Sequence, residues 1–351
     1  MGVSALHKNS KISKYKKNTI VYGNTSFKEK YKTKYVNLNY NKSLIKSSTK
    51  SYILEFLKKE KHNKSDIIEF HNRPSYLKYL KNLKYAKKVL YFHNDPLEMN
   101  GSKNLNDRVF LLENLDKIIF NSEWSKSRFI KDLPTTYANS NKLEIIKQSI
   151  DPKNINLKNK KKIITFVGKL NSAKGYDIFG KAIIPILNDF KNWSAIVIGD
   201  EPREKIFFNH ERLKILGFQS HKDVLKNLEK TSISVVCSRW NEPFGRTSLE
   251  AASRGCGVII SNRGGLKETI TDGIIVDEIN AKNFSKNIKK LIKNPKLLNK
   301  YQKNSLKNFY LTNKYASARI DNYRNNLLTS DQLNSVVSNL KILHITNLNE
   351  K

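Results

Sequence analysis

Glu242 and Glu250 stand with seven residues between them in Asn241-Glu-Pro-Phe-Gly-Arg-Thr-Ser-Leu-Glu250. Pro243 and Gly245 keep the first part of this run out of a helix, and Thr247 or Ser248 can cap a helix reaching Gly255. Glu242 is then expected on a loop after a buried strand, and Glu250 about one turn into the helix. A helix start offers unbonded N–H groups and the positive end of a dipole, which suits phosphate, and Arg246 lies beside it. The chemistry that follows is a phosphate held between carboxylates able to bind sugar hydroxyls. Taken alone, the same residues also fit a helix with a solvated Glu250 and a surface acid at Glu242.

Two further loops carry the same kind of signal. In Gly168-Lys-Leu-Asn-Ser-Ala-Lys-Gly175, Lys169 and Lys174 could clasp a diphosphate as point charges. This is not a Walker A loop, since six residues separate the glycines and no Gly-Lys-Ser/Thr follows. In Ser261-Asn-Arg-Gly-Gly-Leu-Lys-Glu268, Gly264 and Gly265 suggest a close backbone approach to a ligand. Two histidines end apolar runs in the first half, His71 in Asp66-Ile-Ile-Glu-Phe-His71 and His93 in Val89-Leu-Tyr-Phe-His-Asn-Asp95. By residue type alone, either is a hydrogen-bonded strand end.

The elements that must position these residues alternate throughout. Short apolar runs at 19–22, 34–38, 66–70, 88–93, 117–120 and 143–147 read as strands, and those at 51–61, 105–114 and 123–131 as helices. The second half repeats this with strands at 162–167, 194–198, 213–216, 232–236, 258–260 and 274–276. Its helices are expected at 176–188, 222–230, 247–254 and 281–292. Such alternation predicts an α/β protein of two doubly wound Rossmann-like domains with parallel sheets, facing each other across a cleft. The polar run 154–161 is expected to link them, and ligands to sit at the carboxyl ends of the strands.

On the three loops, the stretch from about 159 to 291 resembles the nucleotide-sugar domain of GT-B fold retaining glycosyltransferases of family four, the glycosyl transferases group 1 type. The resemblance rests on the basic residue and Lys-Gly of the first loop, the paired glutamates around Phe-Gly, and the Gly-Gly-x-x-Glu loop, in that order. It implies that Lys169 and Lys174 hold a donor diphosphate together with Gly245, Arg246 and Thr247. It also implies that Glu250 bonds the ribose and that Glu242 and His93 serve catalysis at the transferred sugar. Gly168, Phe244, Gly264, Gly265 and His71 are expected near the ligand, His71 on the acceptor side. The runs 117–124 and 143–151 are similar to the family's last N-domain strands, although Ser149 stands where glycine is usual. The implied activity moves a hexose-type sugar from a nucleoside diphosphate sugar, as co-substrate and with no cofactor, onto a hydroxyl of a glycan or lipid-linked acceptor. No Asp-x-Asp triplet occurs, which suits a metal-independent enzyme.

Two departures from that pattern stand out. Residues 2–8 resemble the loop and helix after an opening strand, with no strand before them, whereas Lys341-Ile-Leu-His-Ile-Thr-Asn347 resembles such a strand. The expected organisation is an acceptor-side domain at 1–153 lacking its first strand, a donor domain at 160–310, a cross-over helix at 311–330, and a tail at 331–351 that begins a further domain. A permuted arrangement, with the tail strand in the vacant position, is the alternative.

The 351 residues carry 65 Lys and Arg against 31 Asp and Glu, a net charge of +34. The lysines are spread along the chain and interleaved with asparagine, as at 8–17, 58–64 and 158–162, which describes solvated faces rather than one nucleic-acid patch. Arginine, scarcer and clustered between Arg203 and Arg263, is expected where a planar fork grips an oxyanion. The apolar content excludes a disordered chain, and no run of about 18 apolar residues exists to span a membrane. With two cysteines, Cys237 and Cys256, and a basic start lacking an apolar stretch, a cytoplasmic protein is expected. Peripheral contact with an anionic inner membrane face is consistent with the charge. A sugar-nucleotide epimerase of the same fold, an inactive donor-binding fragment and a basic nucleic-acid-binding protein are the competing readings.

Overall fold

In a computed structural model of the chain, the described residues are 12–23, 34–38, 48–328 and 342–345. They form two compact units, one of residues 1–148 with 313–351, the other Ser149–Thr312. The chain therefore passes between units at 148/149 and 312/313. The polar run 154–161, expected as a linker, instead lies inside the second unit and contains the short helix Leu157–Asn159.

The first unit is built on Thr19–Gly23 (β1), Lys34–Asn37 (β2), Ile67–His71 (β3), Lys87–Phe92 (β4), Lys117–Phe120 (β5) and Leu143–Ile145 (β6). Their near-continuous apolar content follows from burial on both faces, as parallel sheets require. Ile68, Phe70, Leu90, Phe92, Ile118 and Phe120 point to one core. The alternate residues Ile67, Val89, Tyr91 and Ile119 point to another, shared with Ala316, Ile320 and Tyr323 of the helix Asn313–Leu327. Glu69 lies on this second face with no exposed surface, and Arg324 grips its two oxygens at 2.7 and 2.7 Å. The Tyr323 hydroxyl donates to the same carboxylate and meets the Tyr91 hydroxyl at 2.6 Å. The terminal helix is thus bolted to the sheet by charge as well as by apolar contact.

The tail strand Ile342–Ile345 (β13) completes this sheet. The strand order is β2-β1-β13-β3-β4-β5-β6, and β13 pairs parallel with β1, Thr19 opposite Ile342, and with β3, Ile342 opposite Ile67. The expectation that the tail opens a further domain is corrected by this pairing, since its strand occupies the slot left vacant near the middle of the first sheet. The loop and helix expected at 2–8 lie outside the described residues.

The second unit has Lys161–Val167 (β7), Ser194–Ile198 (β8), Leu213–Ile215 (β9), Thr231–Val236 (β10), Gly257–Ser261 (β11) and Ile274–Val276 (β12), all parallel, in the order β12-β11-β10-β7-β8-β9. One core packs Ile164, Phe166, Val197, Ile233 and Ile259 under helices Tyr176–Asp189 and Ala281–Lys293. The other packs Ile198, Val236, Val258 and Ile260 under Val224 and Leu228 of the helix His221–Lys230 and Ala251 of the helix Arg246–Ala252. The lysine-rich helix Pro295–Lys307 was not expected. Among the described residues no helix is long and apolar enough to cross a membrane.

Because β13 supplies ladder bonds to both β1 and β3, a chain ended after Leu328 should expose two interior strand edges. In limited proteolysis read by mass spectrometry, peptides of the first unit should be released well before those of Ser149–Thr312. Equal release from both units would deny β13 its structural place.

Candidate functional site

Strand order brings the three loops together. β10 lies between β11 and β7, so the segments leaving their carboxyl ends are neighbours at one edge of the second sheet. Ala173 O accepts from the backbone N–H groups of Arg239 and Trp240 at 2.9 and 3.1 Å, which stitches the first loop to the second. Gly265 N–H donates to Glu242 O at 2.7 Å, which stitches the third to the second. Gly264 has φ +57, and a Cβ there would lie 2.2 Å from Glu242 O. A close backbone approach at this glycine is therefore made to the Glu242 backbone.

A pocket at this edge is lined by Gly168, Lys174, Ser238, Glu242, Arg246 and Thr247, with Gly245 at its rim. Lys174 Nζ lies 2.5 Å from Glu242 Oε1, and Ser238 Oγ donates to the same oxygen at 3.0 Å. Arg246 Nη2 lies 3.1 Å from Glu250 Oε1, and His221 Nε2 lies 2.9 Å from that same atom. Both carboxylates are thus anchored through one oxygen, and no hydrogen-bond partner among the described residues reaches either Oε2. Arg246 Nε and Nη1 are buried with no hydrogen-bond partner among the described residues. They are unpaired charged donors on a residue that lines the pocket, a state that favours an anionic partner.

The helix Arg246–Ala252 has seven residues, and its N-cap is Gly245 at φ 108 with no side-chain cap. This corrects the expectation that Thr247 or Ser248 caps a helix reaching Gly255; Ser248 Oγ instead donates back to Gly245 O at 2.8 Å. The first amides cannot bond within the helix, so Gly245 leaves them facing outward beside Thr247. Phe244 is buried, so only its backbone is available to a ligand. Lys169 is exposed and close enough to Glu201 to help lower that carboxyl's pKa behind the larger effect of Arg203; like Glu250, it is not among the residues lining the pocket.

Most of the clustered arginines grip groups of the protein itself. Arg239 forks Asp177 at 2.6 and 2.7 Å, and these bonds hold the Asp177 carboxyl below its usual range. Arg203 forks Glu201 at 2.6 and 2.8 Å, and Arg212 donates to Leu187 O at 2.5 Å. Sequence reasoning missed Ser238 and His221. A serine at a strand end and a histidine after a loop carry no signal until the fold brings them to 3.0 and 2.9 Å from their carboxylates.

The two histidines of the first unit do meet. His71 Nδ1 lies 3.1 Å from His93 Nε2, and the His71 ring stacks on Tyr91 at 4.5 Å between centroids. Asn72 Oδ1 accepts from the His93 backbone N–H at 2.7 Å, and Asn121 donates to His93 O at 2.9 Å. Burial pushes the His93 imidazole down to about 3, so it is neutral, and its Nδ1 is buried with no hydrogen-bond partner among the described residues.

The family described as glycosyl transferases group 1 matches residues 147–308. The chain is 30% identical over 149 residues to spore coat protein SA of Bacillus subtilis, covering 38% of this chain and 40% of that protein. It is 28% identical over 256 residues to an uncharacterised 41.2 kDa protein of the cps region of Klebsiella pneumoniae, covering 65% and 69%. The chain spans about two fifths of the length of the first curated relatives it matches. Among solved structures, Anabaena HepE in complex with UDP and glucose aligns at TM-score 0.69 and 16% identity, over 93% of this chain and 96% of that one. A glycosyltransferase from Rickettsia africae aligns at 0.70 and 18%, over 90% and 100%. These likenesses establish the two-domain GT-B fold.

Two predictions follow from this geometry. Gly264→Ala should displace the Glu242 loop and destabilise the second unit by about 1–3 kcal/mol, since the new Cβ meets backbone; an unchanged urea midpoint would contradict it. For His93, the folded value near 3 lies below the free value of 6.5. Its contribution is present above about pH 6.5 and is lost as pH falls toward 3. The urea midpoint of His93→Gln should therefore fall less steeply than that of the wild type between about pH 7 and pH 4.

Proposed function

We propose that this chain, whose residues 147–308 belong to the glycosyl transferases group 1 family, is a retaining glycosyltransferase. It would move a hexose-type sugar from a nucleoside diphosphate sugar to a hydroxyl of a glycan or lipid-linked acceptor. The observation that carries the reading is the pair of carboxylates, Glu242 and Glu250, each held by one oxygen beside Lys174 and the unpartnered Nε and Nη1 of Arg246.

In this reading the donor diphosphate lies against Lys174, Arg246 and the uncapped amides after Gly245. Lys169, exposed, contributes charge near the diphosphate. Lys174 is already paired with Glu242 and so is fixed before the donor arrives; the phosphate then shares its ammonium group. Glu250 Oε2 accepts hydroxyls of the ribose, and Glu242 Oε2 those of the transferred sugar. In the first unit, His93, neutral, keeps the catalytic assignment that the resemblance implies, oriented by its ring–ring hydrogen bond with His71.

The anomeric carbon–phosphate oxygen bond breaks with its electron pair leaving on the diphosphate. The acceptor oxygen bonds the same face of the carbon, and its proton passes to the departing phosphate oxygen. Fixed cations aimed at the charge that develops on the diphosphate supply the main stabilisation, so the proposal calls on no metal or cofactor. The reading also places the chain in the cytoplasm, with its basic surface against anionic lipid at the inner membrane face when the acceptor is lipid-linked.

Thermal stability against UDP-, GDP-, ADP- and TDP-sugars tests the donor site. A donor present at about 100 times its Kd should add about 2.7 kcal/mol, and Lys174→Ala and Glu250→Ala should abolish the shift. In an activity assay with the donor so identified, Lys174→Ala should lower kcat about 100-fold. No shift with any donor would refute the reading.

A further inference from the structure

We infer that His221 is a positioning residue for Glu250, and that through it the site selects donors carrying a ribose with both its 2′- and 3′-hydroxyls. The inference rests on the donor reading of the second unit and deepens it.

His221 is the first residue of the helix His221–Lys230, whose N-cap Ser220 accepts from Asp223 N–H through its side chain. That helix is approached through Gly217, whose carbonyl accepts from Gly199 N–H at 2.9 Å, so His221 is delivered to the same carboxyl edge as the three loops. Its Nε2 lies 2.9 Å from Glu250 Oε1, and because an ionised carboxylate only accepts, that nitrogen carries the proton. Arg246 Nη2 reaches the same oxygen from the helix Arg246–Ala252 on which Glu250 itself sits.

Two donors from two different helices fix the plane of a carboxylate, whereas one donor on its own helix leaves it able to rotate. The distinction matters because a vicinal diol presents two O–H groups at fixed separation, and only an oxygen held in one place can accept from both. Glu250 has 6% of its side-chain surface exposed, so the carboxylate has little water to orient it instead. The His221 side chain is 40% exposed and is not part of either apolar core, so its role here is its bond to Glu250.

The test uses the full chain with UDP, GDP and ADP and their 2′-deoxy counterparts, and TDP, measured by calorimetry. The wild type should bind one ribonucleoside diphosphate about 10-fold more tightly than its 2′-deoxy form. His221→Ala should weaken the ribo form about 5- to 10-fold and the 2′-deoxy form less than 2-fold. His221→Gln, whose amide can donate to the same oxygen, should restore most of the preference. An equal loss for both forms, or a preference unchanged in His221→Ala, overturns the role of His221 while leaving the donor site standing. Binding of TDP alone does the same. No binding of any nucleoside diphosphate by the wild type overturns the donor reading and this inference with it.

Discussion

Parallel pairing is the constraint from which the site follows. When every strand of a sheet runs the same way, each must be reached by a crossover on a face, and all carboxyl ends collect at one edge. In the second unit this places the loops after β7, β10 and β11 side by side although they are scattered over about a hundred residues. The loops then lock to one another through backbone: Ala173 O to Arg239 and Trp240, Gly265 to Glu242 O. Gly175, at φ 73, continues the pattern, since a Cβ there would meet Cys237 O at 2.0 Å. The glycines that mark these loops serve first to let loops approach loops.

The polar groups at that edge are arranged as a set of half-satisfied partners. Lys174 and Ser238 converge on one oxygen of Glu242, and Arg246 and His221 on one oxygen of Glu250. Removing a carboxylate from water costs several kcal/mol unless it is paired, so the internal partners make the largely dehydrated Glu250 and the half-buried Glu242 tolerable. Leaving the second oxygen and two arginine nitrogens unpartnered keeps the site from being a closed salt-bridge network. Groups held in place in this way need little reorganisation when charge develops nearby.

Much of this architecture was legible in the sequence because it is local. Strand and helix ranges from 19 to 292 follow from apolar periodicity within single segments, and the observed bounds differ from the expected ones by three residues or fewer. The helix Pro295–Lys307 escaped because its buried face includes Gln302 and Ser305, so the apolar pattern is thin. The start of the helix at Arg246 was misread because a glycine N-cap in the left-handed region gives the hydroxyls no capping role. Glu242, Glu250 and Lys174 were found by type and spacing; Ser238, four residues from Glu242, depends on the loop conformation, and His221 on long-range placement. The position of the tail strand is non-local in the extreme: the run 341–347 reads locally as an opening strand, but that its ladder joins Ile342 to Thr19 and Ile67 depends on partners far away in the chain.

The use of arginine shows what a strongly biased composition can and cannot say. With lysine spread over the solvated surface, arginine is spent where a rigid fork has a planar partner, and the partners are mostly internal. Arg324 holds Glu69 in the first unit, Arg239 holds Asp177 in the second, and Arg212 ties a helix end through Leu187 O. Such forks tie elements distant in sequence to each other, a task that a flexible lysine performs poorly. Arg246 differs from these: one nitrogen is committed to Glu250 while Nε and Nη1, buried, have no hydrogen-bond partner among the described residues. A fork half used on the protein and half unpartnered, on a residue that lines the pocket, is a more specific sign of an anionic ligand than a net charge of +34.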